Sequence, residues 1–347
     1  MEKNYQLSIC ITTLNRCEHL RETIECIIAQ KNEGIELIIQ NGGCSDGTDE
    51  MMLGYSSRYE FIKYVNPNNK MGLDEGYHQA LKKSSGKYCW CIPDDDFIKD
   101  GGLLEILNHL NENPDLLIIN VRCFTKDLKT DLNQNLIPVN EKKYMSYGEF
   151  EDSFSSCISS LSYTGTIILP RKIWFDLDLT DYYNSWFGTY AAMASSNKIN
   201  KIIYICDPVI FYRSACSAWT DHSFEIWYKM WPRILQKFDL FSSARIANTE
   251  IDKPWLQSKR LLKSRSMGEY RLSSYFKFIH QDFHTSFFIK IKSVLIATIP
   301  VSVLNFFVLL TMLMFKRTAL YSIYTMAMSS PFPRLAIIIC KLFGKPF

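Results

Sequence analysis

Short apolar runs alternate with amphipathic segments along the first 120 residues of this chain of 347 residues. Helices are predicted over 17–30 and 71–84, where apolar positions recur at helical spacing, and another follows the turn at 41–48. This alternation predicts an α/β fold with a mostly parallel central sheet covered by helices on both faces, as in Rossmann-like proteins. The apolar runs predict strands over Gln6–Thr12, Ile35–Gln40, Phe61–Val65, Tyr88–Ile92 and Leu116–Val121.

The pattern becomes less regular after this region. Residues 126–152 are polar and poorly periodic, and Phe211–Pro232 reads as an aromatic-rich loop followed by a helix. Between them we predict strands over Tyr163–Leu169 and Ile202–Ile205, with a helix over Ser185–Ser196. We expect one domain over residues 1–235, a helical extension over 236–285 and a hydrophobic, basic tail over 286–347.

The tail contains 23 uncharged residues, Ser293–Phe315, with basic residues on both sides. That length is enough to cross a bilayer core of about 30 Å, but Pro300 and Asn305 interrupt it. Because both flanks are basic, the positive-inside rule assigns no orientation, and a hairpin or an interfacial helix keeps both flanks in the cytosol. A helix buried against the protein is the alternative, and residues 333–347 predict a second short interfacial helix.

Charge is unevenly distributed, although the net charge is only +3. After Asp282 there are seven basic residues and no acidic one, so the residues before this tail carry a net charge of about −4. A basic tail on a mildly acidic body favours an anionic membrane surface as partner, and no nucleic-acid partner is expected. The basic residues after Asp282 are Lys290, Lys292, Lys316, Arg317, Arg334, Lys341 and Lys345.

Cysteine usage predicts reduced thiols. The eleven cysteines show no repeating spacing, and MEKNYQLSIC lacks a signal-peptide pattern, so a cytosolic protein is expected. Cys89 and Cys91 form a C-x-C, but no second pair lies at ligand spacing, and we interpret them as small apolar residues beside the sheet rather than a zinc site.

Polar clusters follow three of the predicted strands. Thr12–Arg16 follows the first strand, Asn41–Thr48 the second and Asp94–Asp96 the fourth. Ligands of such sheets bind at the carboxyl ends of the strands, so these clusters are candidates for one common site.

The three consecutive aspartates, Asp94, Asp95 and Asp96, carry the strongest chemical signal. Carboxylate oxygens are the ligands that Mg²⁺ and Mn²⁺ prefer, and such a cation would neutralise the phosphates of a nucleoside diphosphate. Adjacent positions point to opposite sides, so we expect two of the three to face the ion. A solvated surface turn is the alternative for a DDD run taken alone.

The other clusters have both structural and functional interpretations. In NGGCSDGT, Gly42 and Gly43 permit close backbone approach to a ligand, whereas Ser45 or Asp46 can simply cap the next helix. Arg16 suits a phosphate but is equally ordinary at the start of a helix. The segment NKMGLDEG is either a helix start or a part of the site.

Taken together, TTLNR, NGGCSDGT and SSGKYCWCIPDDD resemble the motifs of family 2 glycosyltransferases, which have the GT-A fold. Those enzymes open with a P-T-Y-N-R-like turn, continue with D-(G/N)-x-S-x-D-G-T and carry a D-x-D-like cluster after a later strand. The resemblance covers about residues 6–105. The GLDEG segment and the overall length are most similar to bacterial O-antigen sugar transferases of the abequosyltransferase type.

The resemblance implies roles for the matching positions. Asn41 stands where the family usually has an aspartate that accepts from the base, and Pro93 stands where many members have the first acidic residue. Asp96 would be the main metal ligand, for Mn²⁺ or Mg²⁺, with Asp94 supplying the displaced carboxylate. The implied nucleotide-sugar-binding residues are Thr12, Thr13, Asn15, Arg16, Asn41, Gly72, Asp74, Asp94 and Asp95.

The family generally inverts the anomeric centre with an Asp or Glu base from the second half of the domain. Asp181 is the preferred candidate here, and Asp178 in the same segment is the second; both otherwise suit the N-terminus of a helix. His222 is a third candidate, as a base or in a loop over the donor, and Trp219 could stack on a sugar.

The resulting expectation is a glycosyltransferase at the cytoplasmic face of the plasma membrane. It would move one sugar from a nucleotide-diphosphate sugar to a lipid-linked glycan in surface polysaccharide synthesis. A sugar nucleotidyltransferase is an alternative, although TTLNRCEHL lacks the glycine-rich loop expected of one. A non-catalytic membrane scaffold that retains the nucleotide pocket is the other alternative, and the departures from the family pattern at Asn41 and Pro93 keep it open.

Overall fold

The computed structural model describes residues 4–67, 69–139, 141, 143–216, 222–238, 254–315 and 318–347. The chain divides into two compact units, each of which is discontinuous in sequence. The first unit comprises Met1–Arg122, Asn135–Tyr212 and Ile234–Ser242, and the second comprises Cys123–Gln134, Arg213–Arg233 and Ser243–Phe347. The predicted functional division at residues 235 and 285 stays a prediction.

The strands are β1 Leu7–Thr13, β2 Ile35–Asn41, β3 Ile62–Val65, β4 Tyr88–Ile92, β5 Phe97–Ile98, β6 Leu116–Phe124, β7 Asp131–Asn135, β8 Lys143–Met145, β9 Ile167–Pro170 and β10 Ile202–Arg213. The helices up to residue 237 are α1 Cys17–Ala29, α2 Thr48–Arg58, α3 Leu73–Lys82, α4 Gly102–Leu110, α5 Tyr147–Phe154, α6 Arg171–Asp176, α7 Gly188–Ala194, α8 Ser223–Glu225 and α9 Trp231–Lys237. Those after it are α10 Ser258–Ser266, α11 Leu272–Ser274, α12 Phe287–Thr298, α13 Val301–Met314, α14 Leu320–Met328 and α15 Pro333–Leu342.

The central sheet has the order β3-β2-β1-β4-β9-β6-β10-β5, with β7 beside β6 and β8 beside β10. The first four strands of that order are parallel, whereas β9 runs antiparallel to β4 and β6. Strands β1, β2 and β4 are buried at every position, which explains their continuous apolar runs. The predicted α/β class with a mostly parallel central sheet is confirmed.

The elements predicted over the first 121 residues agree with the structure to within a few residues. Three bounds predicted after that region were wrong. The predicted strand at Tyr163 begins only at Ile167, because the Tyr163 carbonyl accepts from the amide and hydroxyl of Thr166 and closes a 3-10 turn. The helix predicted from Ser185 begins at Gly188, after a turn, and the strand predicted over Ile202–Ile205 continues to Arg213.

The polar stretch after Lys126 contains regular elements that its weak periodicity did not predict. Strands β7 and β8 and helix α5 all lie within it or at its end. Helix α5 starts with a capping box, in which Ser146 and Glu149 satisfy each other's backbone amides. Local capping therefore fixes an element here that hydrophobic patterning leaves undefined.

Glu36 is a fully buried charge at the amino-terminal end of β2. It accepts hydrogen bonds from Ser8 Oγ at 2.6 Å, Lys63 Nζ at 2.6 Å, Ser85 N at 2.5 Å and Gly86 N at 3.1 Å. Burial alone would raise the pKa of Glu36, but the hydrogen bonds from Lys63, Ser8 and Ser85 outweigh it, and the net shift is downward. This carboxylate joins β1, β2, β3 and the turn before β4 at the edge opposite the polar clusters.

In the second unit, α12 and α13 divide the uncharged run between them. They join at Ile299 and Pro300 and are bent by 93°. By length and composition, no single helix among the described residues qualifies as a membrane span, whereas this bent pair does when its two helices are taken together. Lys316 and Arg317 lie outside the described residues.

Gly76 permits the close packing of α3 on β1. A Cβ atom at this position would clash with Thr12 Oγ1 and would lie 2.9 Å from Thr12 Cβ, which is closer than real Cβ atoms approach. Gly54 in α2 offers a comparison, because a Cβ atom there would meet nothing within 4 Å.

We predict that the same substitution has opposite effects at these two glycines. Gly76→Ala should lower the free energy of unfolding by about 1–3 kcal/mol, because the new methyl group forces α3 away from β1. Gly54→Ala should raise it by up to about 1 kcal/mol, because alanine favours the helix more than glycine does. Urea denaturation of both variants measures the difference, and equal stability would contradict the close packing.

Candidate functional site

The turns after β1 and β2 are joined by side-chain hydrogen bonds. Asn15, which has a positive φ of 54°, accepts from Ser45 N at 2.7 Å through its side-chain oxygen. Asp46 accepts from Cys17 N at 2.8 Å and so caps the start of α1. The two turns therefore hold each other in place.

The predicted cap of α2 was wrong. Gly47, with a φ of 87°, is the N-cap residue, and neither Ser45 nor Asp46 occupies that position. The reason is that Asp46 is already engaged with α1 and with the hydroxyl of Thr48, at 2.6 Å.

Arg16 lies between two of the three consecutive aspartates. Its Nε is 3.0 Å from an oxygen of Asp94, and its Nη2 contacts Asp95. Thr13 donates to the other oxygen of Asp94 at 2.7 Å. Since β1 and β4 are neighbours in the sheet, the end of one strand supplies the cation and the end of the other supplies the carboxylates.

Burial strongly perturbs Asp94. Desolvation raises the pKa of its carboxyl to about 7, with the neighbouring Asp95 acting in the same direction. Arg16 and the hydroxyl of Thr13 oppose that rise without cancelling it. Perturbed titration at the carboxyl end of strands is typical of functional sites, although structural ion pairs also produce it.

Asp96 makes different contacts from the other two aspartates. Its carboxylate accepts from the hydroxyl of Tyr163, and its carbonyl accepts from Thr23 Oγ1 at 2.9 Å. The Thr23 hydroxyl also donates to the Asp94 carbonyl at 3.1 Å, so Thr23 holds the backbone of the turn.

The contacts of these three aspartates determine whether they can hold the expected metal. Carboxylate oxygens are the right donors for a hard cation, but the Asp94 and Asp95 carboxylates are directed to Arg16 and that of Asp96 to Tyr163. Within the part of the chain that the structure describes, no three acidic, histidine or cysteine side chains gather as a metal site would require. As arranged, these residues do not fit a divalent cation.

Asn41 uses its full hydrogen-bonding capacity inside the protein. Its amide nitrogen donates to Asp49 at 2.6 Å and to Tyr64 at 2.8 Å, and its oxygen accepts from the amides of Gly43 and Cys44 at 2.7 Å each. In this conformation Asn41 shapes the glycine turn, and its predicted contact with a base stays a prediction.

Asp74 supports a second loop of the same unit. Its carboxylate accepts from Trp186 N at 2.8 Å and from Gly188 N at 3.0 Å, and Ser185 Oγ lies 3.4 Å away. Trp186 has a φ of 70°, a conformation that costs free energy for a bulky residue. Asp74 thus holds a strained loop at the start of α7.

Gly72, also predicted at the site, lies against this loop as well. A Cβ atom at Gly72 would be 2.8 Å from the side-chain oxygen of Asn184, whose φ is 63°.

Burial raises the pKa of Asp74, although the backbone amides of Gly188 and Trp186 oppose the shift.

The three candidate bases lie in different surroundings. Asp178 is exposed and caps a 3-10 turn, since it accepts from Thr180 N at 3.0 Å and Thr180 Oγ1 at 2.6 Å. Asp181 in that turn is also exposed, and among the described residues nothing donates to its carboxylate. His222 belongs to the second unit, and Trp219 lies outside the described residues.

The structure adds three residues that the sequence did not single out. The Lys70 side chain lies against the glycine turn, 3.0 Å from where a Gly43 Cβ would be. Tyr163 is the partner of Asp96, and His78 contacts the hydroxyl of Tyr183 at 2.7 Å beside Asp74. Lys70 was detectable as a cation within NKMGLDEG, whereas the other two depend on contacts between residues far apart in sequence.

Comparison with known proteins places this geometry in context. Residues 8–175 match the model of Glycosyl transferase family 2. The abequosyltransferase of Salmonella typhimurium is 26% identical over 227 residues, which cover 60% of this chain and 66% of that protein. The GalNAc(5)-diNAcBac-PP-undecaprenol beta-1,3-glucosyltransferase of Campylobacter jejuni is 29% identical over 108 residues, covering 31% of this chain and 35% of that protein. The chain thus spans less than two thirds of either relative.

Among solved structures, the fold is similar to residues 1–349 of Staphylococcus aureus TarS in complex with UDP. The TM-score is 0.53 with 14% identity, and the match covers 97% of this chain and 91% of that one. The mannosyltransferase of Pyrobaculum calidifontis, in complex with GDP-Man and Mn²⁺, gives a TM-score of 0.52 with 12% identity and covers 99% and 89%. At these identities the likeness establishes the fold alone.

Removing the Asp74 carboxylate should destabilise the protein. Asp74→Ala leaves two backbone amides without their acceptor, so we expect the free energy of unfolding to fall by about 2–4 kcal/mol. Asp74→Asn keeps one acceptor and should lose about half of that. The neighbouring Glu75→Gln is the control and should change stability by less than about 0.5 kcal/mol in urea denaturation. A neutral Asp74→Ala would show that the loop does not depend on this side chain.

Proposed function

We propose that this chain, whose residues 8–175 match the family 2 glycosyltransferase model, transfers one sugar from a nucleoside-diphosphate sugar to a glycan acceptor. The observation that carries the proposal is the buried group of Arg16, Asp94 and Asp95 at the carboxyl ends of β1 and β4. In α/β sheets that edge is where ligands bind. The family domain and this group together favour a transferase in the EC 2.4 class.

The donor class is supported by the electrostatics of the site and by the neighbours. Arg16 presents a planar guanidinium at the strand ends, and the aliphatic part of Lys70 lies beside Gly43, which brings a second cationic side chain to this edge of the sheet. Guanidinium and ammonium groups are the usual partners of phosphate oxygens. A solved neighbour, TarS from S. aureus, is in complex with UDP-GlcNAc, which agrees with a nucleotide-sugar donor.

The relatives support a proposal for the acceptor class. The abequosyltransferase supports a role in O-antigen-type polysaccharide synthesis, and the name of the C. jejuni enzyme specifies an undecaprenol-linked glycan. We therefore propose a lipid-linked glycan acceptor at the cytoplasmic membrane face. The exposed apolar and basic tail agrees with that location.

The reaction we propose is a single displacement with inversion. The acceptor hydroxyl attacks the anomeric carbon, the bond from that carbon to the diphosphate oxygen breaks, and a carboxylate takes the hydroxyl proton. Asp181 is the preferred base, because it is exposed and its carboxylate is not engaged among the described residues, whereas Asp178 is used as a cap. Arg16 would hold the diphosphate while charge develops on the leaving oxygen.

The displacement that we propose has no step at the expected Mn²⁺ or Mg²⁺. A cation at Asp94 and Asp96 would require Arg16 and Tyr163 to give up their contacts with these carboxylates. The Mn²⁺ in the P. calidifontis neighbour belongs to that protein. Measuring transfer with added Mn²⁺ and with a chelator determines whether the cation is used.

The non-catalytic scaffold remains the second candidate, because Asn41 is fully engaged in shaping its own turn. The nucleotidyltransferase alternative has less support, since the domain over residues 8–175 matches a transferase family.

Nucleoside diphosphates should stabilise the protein through Arg16 and Lys70. At a concentration about 100 times the Kd, a ligand of the folded state adds about 2.7 kcal/mol, which is visible as a rise in melting temperature. Lys70→Gln keeps the Arg16 group intact and should weaken binding about tenfold, as expected for one charge-assisted hydrogen bond. Arg16→Gln should weaken it further, and Arg16→Lys should recover a part.

Each variant is compared with its own ligand-free melting temperature, because Arg16 also neutralises two buried carboxylates. The proposed function is wrong if neither nucleoside diphosphates nor nucleotide sugars shift the wild-type protein.

Asp181→Asn should lower the transfer rate by about 10²–10⁴-fold, the range contributed by general base catalysis, while donor binding is kept. Asp178→Asn is the matched control, since it is an exposed aspartate of the same segment and should change the rate by less than about threefold. Donor turnover by radiolabel transfer and donor binding by thermal shift separate the two effects. Loss of transfer in His222→Gln but not in Asp181→Asn would reassign the base.

A further inference from the structure

Exposed apolar side chains are concentrated at the end of the chain. Of the 23 large hydrophobic side chains exposed in the described residues, 15 lie after Asp282. Scattered exposed hydrophobic residues are normal, but large groups of them mark interaction surfaces. The 15 residues are Phe283, Phe287, Phe288, Ile291, Leu295, Val303, Phe306, Phe307, Met314, Phe315, Phe332, Leu335, Ile338, Leu342 and Phe343.

Helix α12 is amphipathic with a defined apolar stripe. At about 100° per residue, its exposed apolar side chains fall within a sector of about 100°. Lys290 and Lys292 lie on the two borders of that sector, one on each side. The four side chains of the stripe are Phe287, Phe288, Ile291 and Leu295.

The opposite face of α12 is covered by the protein. Ser293, Ile296 and Ala297 are buried there, and Tyr270 donates to the Ser293 carbonyl at 3.0 Å. The helix is therefore fixed with its stripe outward, and Lys290 is held in place by a 2.8 Å hydrogen bond to the His280 carbonyl.

Helix α13 is fixed in a similar way by a buried amide. Asn305 donates to the carbonyls of Ser266 and Met326, at 3.0 Å each, and so directs one face of α13 into the second unit. Val303, Phe306 and Phe307 are exposed on the other face. The polar residue that interrupts the uncharged run thus determines which face stays outside.

Helix α15 also has an exposed apolar stripe with basic residues beside it. Leu335, Ile338 and Leu342 form an exposed stripe, and Arg334 and Lys341 are exposed beside it. Ala336 and Cys340 on the opposite side are buried.

We propose that the outward faces of α12, α13 and α15, which we call the tail surface, lie in the plane of an anionic lipid bilayer. Apolar side chains would enter the headgroup and acyl boundary, and the flanking lysines would remain at the level of the lipid phosphates. The charge pattern supports this partner, because every charged residue after Asp282 is basic. Basic residues beside an amphipathic helix are attracted to anionic lipids.

A second copy of the chain fits this surface less well. Two tail surfaces pressed together would bring lysines and arginines against each other with no acidic residue after Asp282 to pair with them. No residue of the tail surface is assigned to the binding of the nucleotide sugar, so the test of this surface is independent of the transferase reaction.

The experiment measures binding of the full-length protein to vesicles. Wild-type protein should sediment with vesicles of phosphatidylcholine and phosphatidylglycerol, and less so with phosphatidylcholine alone or at high salt. Lys290→Gln/Lys292→Gln should weaken partitioning about fivefold per lysine. Lys129→Gln/Lys172→Gln, which removes the same charge elsewhere, is the control and should bind like wild type.

A second pair of substitutions tests the contribution of the apolar side chains to vesicle binding. Leu295→Ser/Leu342→Ser should lower partitioning by about tenfold per leucine. Leu53→Ser/Leu104→Ser is the matched control, because those helix leucines are exposed by 63% and 56%, compared with 61% and 81% for the tail pair. Both pairs lie on exposed surfaces, so far-ultraviolet circular dichroism should show equal folding.

Three outcomes would overturn the proposal. Binding that is the same for Leu295→Ser/Leu342→Ser and its control would exclude the tail surface. A dimer in solution that dissociates in the Leu295→Ser/Leu342→Ser variant would assign the surface to a second copy. Protein that resists extraction from vesicles by alkaline carbonate would show insertion deeper than the interface.

Discussion

Three consecutive carboxylates at a buried turn are tolerable only if their charge is offset, and in this chain Arg16 does most of that. It contacts Asp94 and Asp95 together, while Asp96 is separated from them by its hydrogen bond to Tyr163. An unpaired charge at such a depth would cost several kcal/mol, so the turn and the arginine depend on each other. The pairing of β1 with β4 makes the contact possible.

The same edge of the sheet is stabilised by a set of short polar links rather than by apolar packing. Asn15 holds the second turn, Asp46 caps α1, and Asn41 shapes the glycine turn. Asp74 extends this support to the loop that precedes α7. Because these backbone segments are fixed in advance, a ligand bound here would pay little conformational entropy for ordering them.

The sequence predicted the parallel strands β1 to β4 and the positions of the polar clusters, since buried parallel strands give continuous apolar runs and the polar residues follow where those runs end. It did not predict which side chains meet. Tyr163 and Asp96 are 67 residues apart, and Asp74 and Trp186 are 112 apart, so no local pattern encodes these contacts. The prediction of the α2 cap failed for a related reason, because one carboxylate oxygen of Asp46 accepts from the distant amide of Cys17, while Gly47 occupies the N-cap position. By contrast, the capping box of α5 is a local signal, Ser146 followed three residues later by Glu149, although α5 was not predicted from it.

For the uncharged run of the tail, hydropathy alone does not distinguish a membrane span from helices that the protein holds on one face. Its average composition resembles a membrane span, yet Pro300 lies at the break between two helices and Asn305 needs polar partners that lipid does not provide. The protein supplies those partners from Ser266 and Met326, which commits one face of α13 to the second unit and leaves the other face apolar and exposed. A helix with one face held by protein and one face apolar differs from a span that is apolar all round, and the distinction rests on a single amide.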